Sequence, residues 1–151
     1  MLFYPLGDLI ICGDFNARTG NLSDTDMPHL PKRQVVDSVV NSHGRQFIDL
    51  LLDSHMIMLN GRSDPKYNNF TSISTLGRAV VDYVIVPQST LAYFSNFEVH
   101  TVLDLVEELN LPYDSNAPDH SFLLIWKYLI DSTCNAQKFY SRKDESRPTY
   151  I

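Results

Sequence analysis

The run Val80-Val81-Asp82-Tyr83-Val84-Ile85-Val86 limits the fold of this chain more than any other stretch. Six of its seven residues are β-branched or aromatic, the types that form strands, and Pro87 stops it. Alternation puts Val80, Asp82, Val84 and Val86 on one face and Val81, Tyr83 and Ile85 on the other. A carboxylate buried alone among such neighbours costs several kcal/mol, so a buried Asp82 needs a partner, a histidine or an arginine. The alternative is an edge strand with Asp82 turned to water.

The rest of the chain predicts short strands with one clear helix. Leu9 to Cys12 is an apolar strand ending at Gly13. Residues 17–41 are polar and turn-rich and read as a long loop, a feature that is often functional in compact domains. In Gly44 to Ser54, Phe47, Ile48, Leu51 and Leu52 share one helical face. Met56 to Leu59 is a strand ending in the turn Asn60-Gly61. Phe70 to Ser74 and Val80 to Val86 are expected to form a hairpin through Leu76-Gly77-Arg78. Further strands are expected from Phe97 to Leu103 and from Ser121 to Leu129. These elements form a layered α/β or α+β domain over residues 1–130, followed by a polar tail or linker at 131–151.

Net charge is -6, which argues against a module that holds nucleic acid by bulk electrostatics alone. It leaves room for a metal enzyme, because carboxylate ligands lower net charge. Cys12 and Cys134 are too few for a disulfide framework or a zinc cluster. Cys12 reads as a small core residue, and a reducing intracellular compartment, nuclear or cytoplasmic, is the expectation. No run of about 18 apolar residues is present, so no membrane span is expected. The apolar start lacks a basic region and is interrupted by Asp8, unlike a signal peptide.

Three constellations carry chemistry. Gly13-Asp14-Phe15-Asn16 follows a buried strand directly and, at this composition, arises by chance only about 0.002 times. It is also good turn sequence. Asp82 is the second. The third is Pro118-Asp119-His120-Ser121, just before the last strand. Asp-His alone means little, since about 0.5 such pairs are expected by chance; position gives it weight. In antiparallel pairing, a strand's end lies beside its neighbour's start. Asp14, Asp119 and His120 can therefore meet at one rim, with Asp82 reaching His120 from inside. Such a cluster suits phosphodiester hydrolysis. Asp119 offers a hard oxygen to Mg²⁺, and Asp14 can orient or deprotonate water. His120 can act as acid/base or phosphoryl ligand, and Asn16 can donate to the transition state.

GDFN, FTSISTLGRAVVDYVIV and PDHS stand in the order found in endonuclease/exonuclease/phosphatase domains, which the chain resembles over about residues 8–127. The fuller wording, with IICGDFNARTG and GRQFIDLLLDS, is most similar to the endonuclease domain of non-LTR (LINE-type) retrotransposons. The resemblance implies a four-layered, DNase I-like α/β sandwich cleaving phosphodiesters in DNA with Mg²⁺, or Mn²⁺ in its place. It implies catalytic roles for Asp14 and Asn16, support of the histidine by Asp82, metal contact by Asp119 with Asp14 as a second candidate, and phosphate contact by His120. Phosphatase or lipid phosphodiesterase activity on the same fold is an alternative. Such domains carry a metal-binding Glu upstream of GDFN, whereas all four glutamates here lie downstream. The N-terminal half of the sandwich is therefore expected to be missing. Impaired turnover, exposed sheet surface and self-association are expected with it. A non-catalytic remnant serving as an interaction module is the rival expectation.

Arg18, near Asn16, is the best-placed cation for a phosphate; Lys32, Arg33 and Arg45 are further candidates, with solvated surface charge the plainer reading. His29, His43, His55 and His100 show no ligand spacing. Trp126 reads as core, and Asp104, Glu107 and Glu108 as a solvated helical face.

Overall fold

A computed structural model describes residues 9–62, 65–112 and 118–128. Two strands flank the apolar run at residues 80–86. β1 (Ile11–Asp14) and β2 (Met56–Met58) both pair antiparallel with β5 (Asp82–Pro87), giving the order β1-β5-β2. Ile11 lies opposite Ile85, and Asp14 opposite Asp82. β3 (Ser72–Ser74) and β4 (Gly77–Ala79) make a hairpin. β6 (Phe94–His100) pairs antiparallel with β7 (Phe122–Lys127). With α1 (Ser42–Ser54) and α2 (Val102–Glu108), this is a mixed helix-and-sheet architecture in which every strand pair is antiparallel.

Each layer follows from side-chain alternation. On one face of β5, Tyr83 and Ile85 join Met56 and Met58 of β2 and are covered by Phe47, Ile48 and Leu51 of α1. On the other face, Val84 and Val86, with Ile57 and Leu59, meet Phe97 and Val99 of β6. The stack is thus helix, three-stranded sheet, two-stranded sheet. The helix starts where Asn41 accepts from the Gly44 amide at 2.7 Å and ends at His55 in the left-handed conformation. Gly44 is required by space: a Cβ there would overlap the Arg18 carbonyl.

Four expectations need correction. The hairpin partner of Ser72–Ser74 is Gly77–Ala79; the chain then leaves through Val80-Val81 before β5 begins. The strand expected to run to Leu103 stops at His100, because Thr101 caps α2 in a reciprocal box with Asp104. Cys12 is exposed rather than core: among the described residues β1 has a neighbour on one side only. Trp126 is 44% exposed. It sits opposite Asn96, so it points away from the side where Phe97 meets the core. The expected tail at 131–151, with Cys134, lies outside the described residues. Among the described residues no helix is long and apolar enough to cross a membrane.

Candidate functional site

Three separate stretches build one rim. β1 ends at Asp14 directly opposite Asp82, the first residue of β5. Ser121, just ahead of β7, is tied to the same corner: its amide donates to the Thr71 carbonyl at 2.7 Å and its hydroxyl to the Phe70 carbonyl at 2.9 Å. The Ile73 amide donates to the Asp119 carbonyl at 2.7 Å. Asp119 and His120 are thereby held beside the start of β5.

His120 Nδ1 lies 2.9 Å from Asp82 Oδ2 and 3.1 Å from Oδ1. A carboxylate only accepts, so Nδ1 carries the proton and donates, and Nε2 is left facing outward. Nε2 is 3.9 Å from Asp119 Oδ1. The imidazole is 43% exposed, whereas the Asp82 side chain is only 13% exposed: a supporting group inside and a working group outside. The hydrogen bond that His120 donates to Asp82 raises the His120 pKa; slight burial opposes it, and the charges of Asp82, Asp119 and Asp14 add to the rise.

Asp82 is fixed through its backbone. The buried Thr71 hydroxyl accepts from the Val81 and Asp82 amides, each at 3.0 Å. Asn60 donates to the Asp82 carbonyl at 3.0 Å and accepts from the Val84 amide at 3.1 Å, continuing the pairing of β2 with β5 beyond the end of β2. Sequence reading missed both residues. Asn60 was visible only as half of a turn dipeptide, and a lone threonine ahead of a strand gives no signal.

Asp14 accepts from the Asn16 amide at 2.7 Å, an Asx turn that bends the chain away from β1. Asn16 sits at φ 50°, a region asparagine tolerates. Its carbonyl accepts from the Asn41 side chain at 3.1 Å, which ties the turn to the start of α1. The turn reading of GDFN therefore holds locally. The Asn16 side-chain amide makes no hydrogen bond among the described residues and is exposed at the rim.

Arg18 stands elsewhere in the network. Its guanidinium makes a bidentate pair with Asp37, at 2.8 and 2.7 Å, rather than facing outward to a phosphate. Burial pushes the Asp37 carboxyl up, but Arg18 and the Val80 and Val39 amides outweigh it and hold the group below its usual range. Among the described residues no three His, Cys, Asp or Glu side chains form a metal-ligating group. The rim offers carboxylates of the right hardness for Mg²⁺ in Asp14 and Asp119. An ion there would take most of its oxygen ligands from water and substrate.

No family model, curated protein or solved structure matches the chain.

Proposed function

We infer that this rim is a metal-assisted phosphodiester-cleaving site acting on nucleic acid, the site of an endonuclease/exonuclease/phosphatase domain of retroelement type. The observation that carries the reading is the Asp82–His120 pair, 2.9 Å long, with Asp14 and Asp119 beside it at the same rim. His120 in its protonated form, held by Asp82 through Nδ1–H, presents Nε2–H to a phosphoryl oxygen or gives that proton to the leaving oxygen. Asp14 orients the attacking water and Asn16 donates to the charge that develops. Asp119 would hold Mg²⁺, with Asp14 as a second candidate ligand, and the ion would supply charge neutralisation on the phosphoryl group. The helix–sheet–sheet stack is consistent with part of a four-layered sandwich.

The test is Mg²⁺-dependent hydrolysis of bis(p-nitrophenyl) phosphate. Nitrophenolate release should stop with EDTA and fall by about 100-fold or more in His120→Ala. Release that is unchanged in His120→Ala would refute the assignment.

A second reading, a non-catalytic interaction module, is favoured by one observation: Leu9 and Ile10 ahead of β1, Ile11 in it, and Phe122, Leu124 and Trp126 of β7 are exposed.

A further inference from the structure

Away from the rim, the loop at 21–35 carries a buried charge cluster that the reaction does not use. Asp24, Arg62 and Arg33 have side chains only 2%, 3% and 8% exposed. Asp24 is saturated. Arg62 grips both carboxylate oxygens, at 2.9 and 2.7 Å, and the Met58 amide donates to Oδ2 at 2.9 Å. Arg33 is left at the margin, its Nε 3.8 Å from Asp24 Oδ1. Its Nη2 donates to the Leu22 and Gly20 carbonyls at 2.9 and 3.2 Å, and to the Thr19 hydroxyl at 3.4 Å. Its Nη1 has no hydrogen-bond partner among the described residues. Two guanidiniums against one carboxylate leave Arg33 without a close anionic partner, although its side chain is only 8% exposed. Burial accordingly lowers the Arg33 pKa, and Arg62 adds to the effect against the pull of Asp24.

Arg33 lines a cavity of about 350 Å³. One water needs only about 10–15 Å³ of such space, so the cavity is too large for a bare ion. Its walls include Leu22, Met27, Pro28 and Leu30; Lys32, Arg33 and Arg62 bring three cations against the carboxylates of Asp24 and Asp26, an excess of one positive charge. We propose that this cavity binds a small organic anion, its carboxylate or phosphate head on Arg33 and its apolar body against Leu22, Met27 and Leu30. The surplus charge selects the head and the cavity's size selects the body. None of its lining residues belongs to the Asp82–His120 rim.

The experiment follows the Arg33 Nε–H and Leu22 amide resonances of the whole chain by NMR. Phenyl phosphate, benzoate, inorganic phosphate and benzyl alcohol are titrated separately. Phenyl phosphate or benzoate should give saturable shifts centred on Arg33, and whichever saturates first identifies the head group. Inorganic phosphate, without a body, should bind more weakly than phenyl phosphate, and neutral benzyl alcohol should not bind. Arg33→Gln should weaken the anion about tenfold or more. The proposal is overturned if neither aromatic anion moves Arg33, if benzyl alcohol binds as well, or if a folded Arg33→Gln protein binds equally. Should Arg33→Gln fail to fold, the wild-type titrations decide alone.

Discussion

Asp82 Oδ2 stands 2.9 Å from His120 Nδ1, so protonating the imidazole turns a hydrogen bond into an ion pair. The folded-state pKa of His120 is raised above its ordinary 6.5. The pair therefore stabilises the fold fully below pH 6.5, and that contribution is lost as pH rises through the folded value. Solvent around the half-exposed ring keeps the contribution small. In an NMR titration the His120 midpoint should lie above 6.5, and Asp82→Asn should bring it down. An unmoved midpoint would mean that the carboxylate does not govern the histidine. At this scale the sequence was informative in part: a carboxylate in an apolar run demanded a partner, and His120 is that partner, but the pairing expected to bring it to Asp14 was misread, because β1 pairs with β5 and β7 with β6. Arg18 was not legible in the same way. Its nearness to Asn16 suggested a phosphate, but the partner that captures it, Asp37, is buried in the loop.

Between elements, the rim depends on side chains that lock backbone to backbone. Thr71 serves two amides at the start of β5, and its own carbonyl holds Ser121 ahead of β7. Thr71→Val removes the acceptor from both amides in a buried place, so it should cost about 1–3 kcal/mol in urea unfolding. A loss within error of zero would show that water replaces the hydroxyl. Helix α1 and strand β5 were readable because their apolar periods are strong. The hairpin was misread because β3 and β4 are only three residues each, too short for alternation to mark an end. The exposure of Cys12 and Trp126 was hidden for another reason: an apolar residue in a strand looks the same whether or not a further layer covers it.

Across the molecule, two sheet edges carry apolar side chains into solvent. Among the described residues β1 and β7 are edge strands, and Ile11, Cys12, Leu124 and Trp126 are all exposed. A strand edge without a neighbour recruits other strands. Light scattering after size exclusion should show concentration-dependent association, weakened by Leu124→Lys with Trp126→Lys. A monomer at every concentration would remove the interaction-module reading. Cleavage of nucleic-acid phosphodiesters at the Asp82–His120 rim is put to the test by nicking of supercoiled plasmid. The reactions are run with Mg²⁺ and with EDTA, using wild type, His120→Ala and Asp82→Asn, with thermal unfolding followed in parallel. Slow Mg²⁺-dependent nicking by the wild type is expected, in keeping with impaired turnover, and it should be abolished in His120→Ala and reduced in Asp82→Asn while all three proteins unfold cooperatively. A cooperatively folded wild type that leaves the plasmid intact would contradict it, and so would nicking that survives His120→Ala.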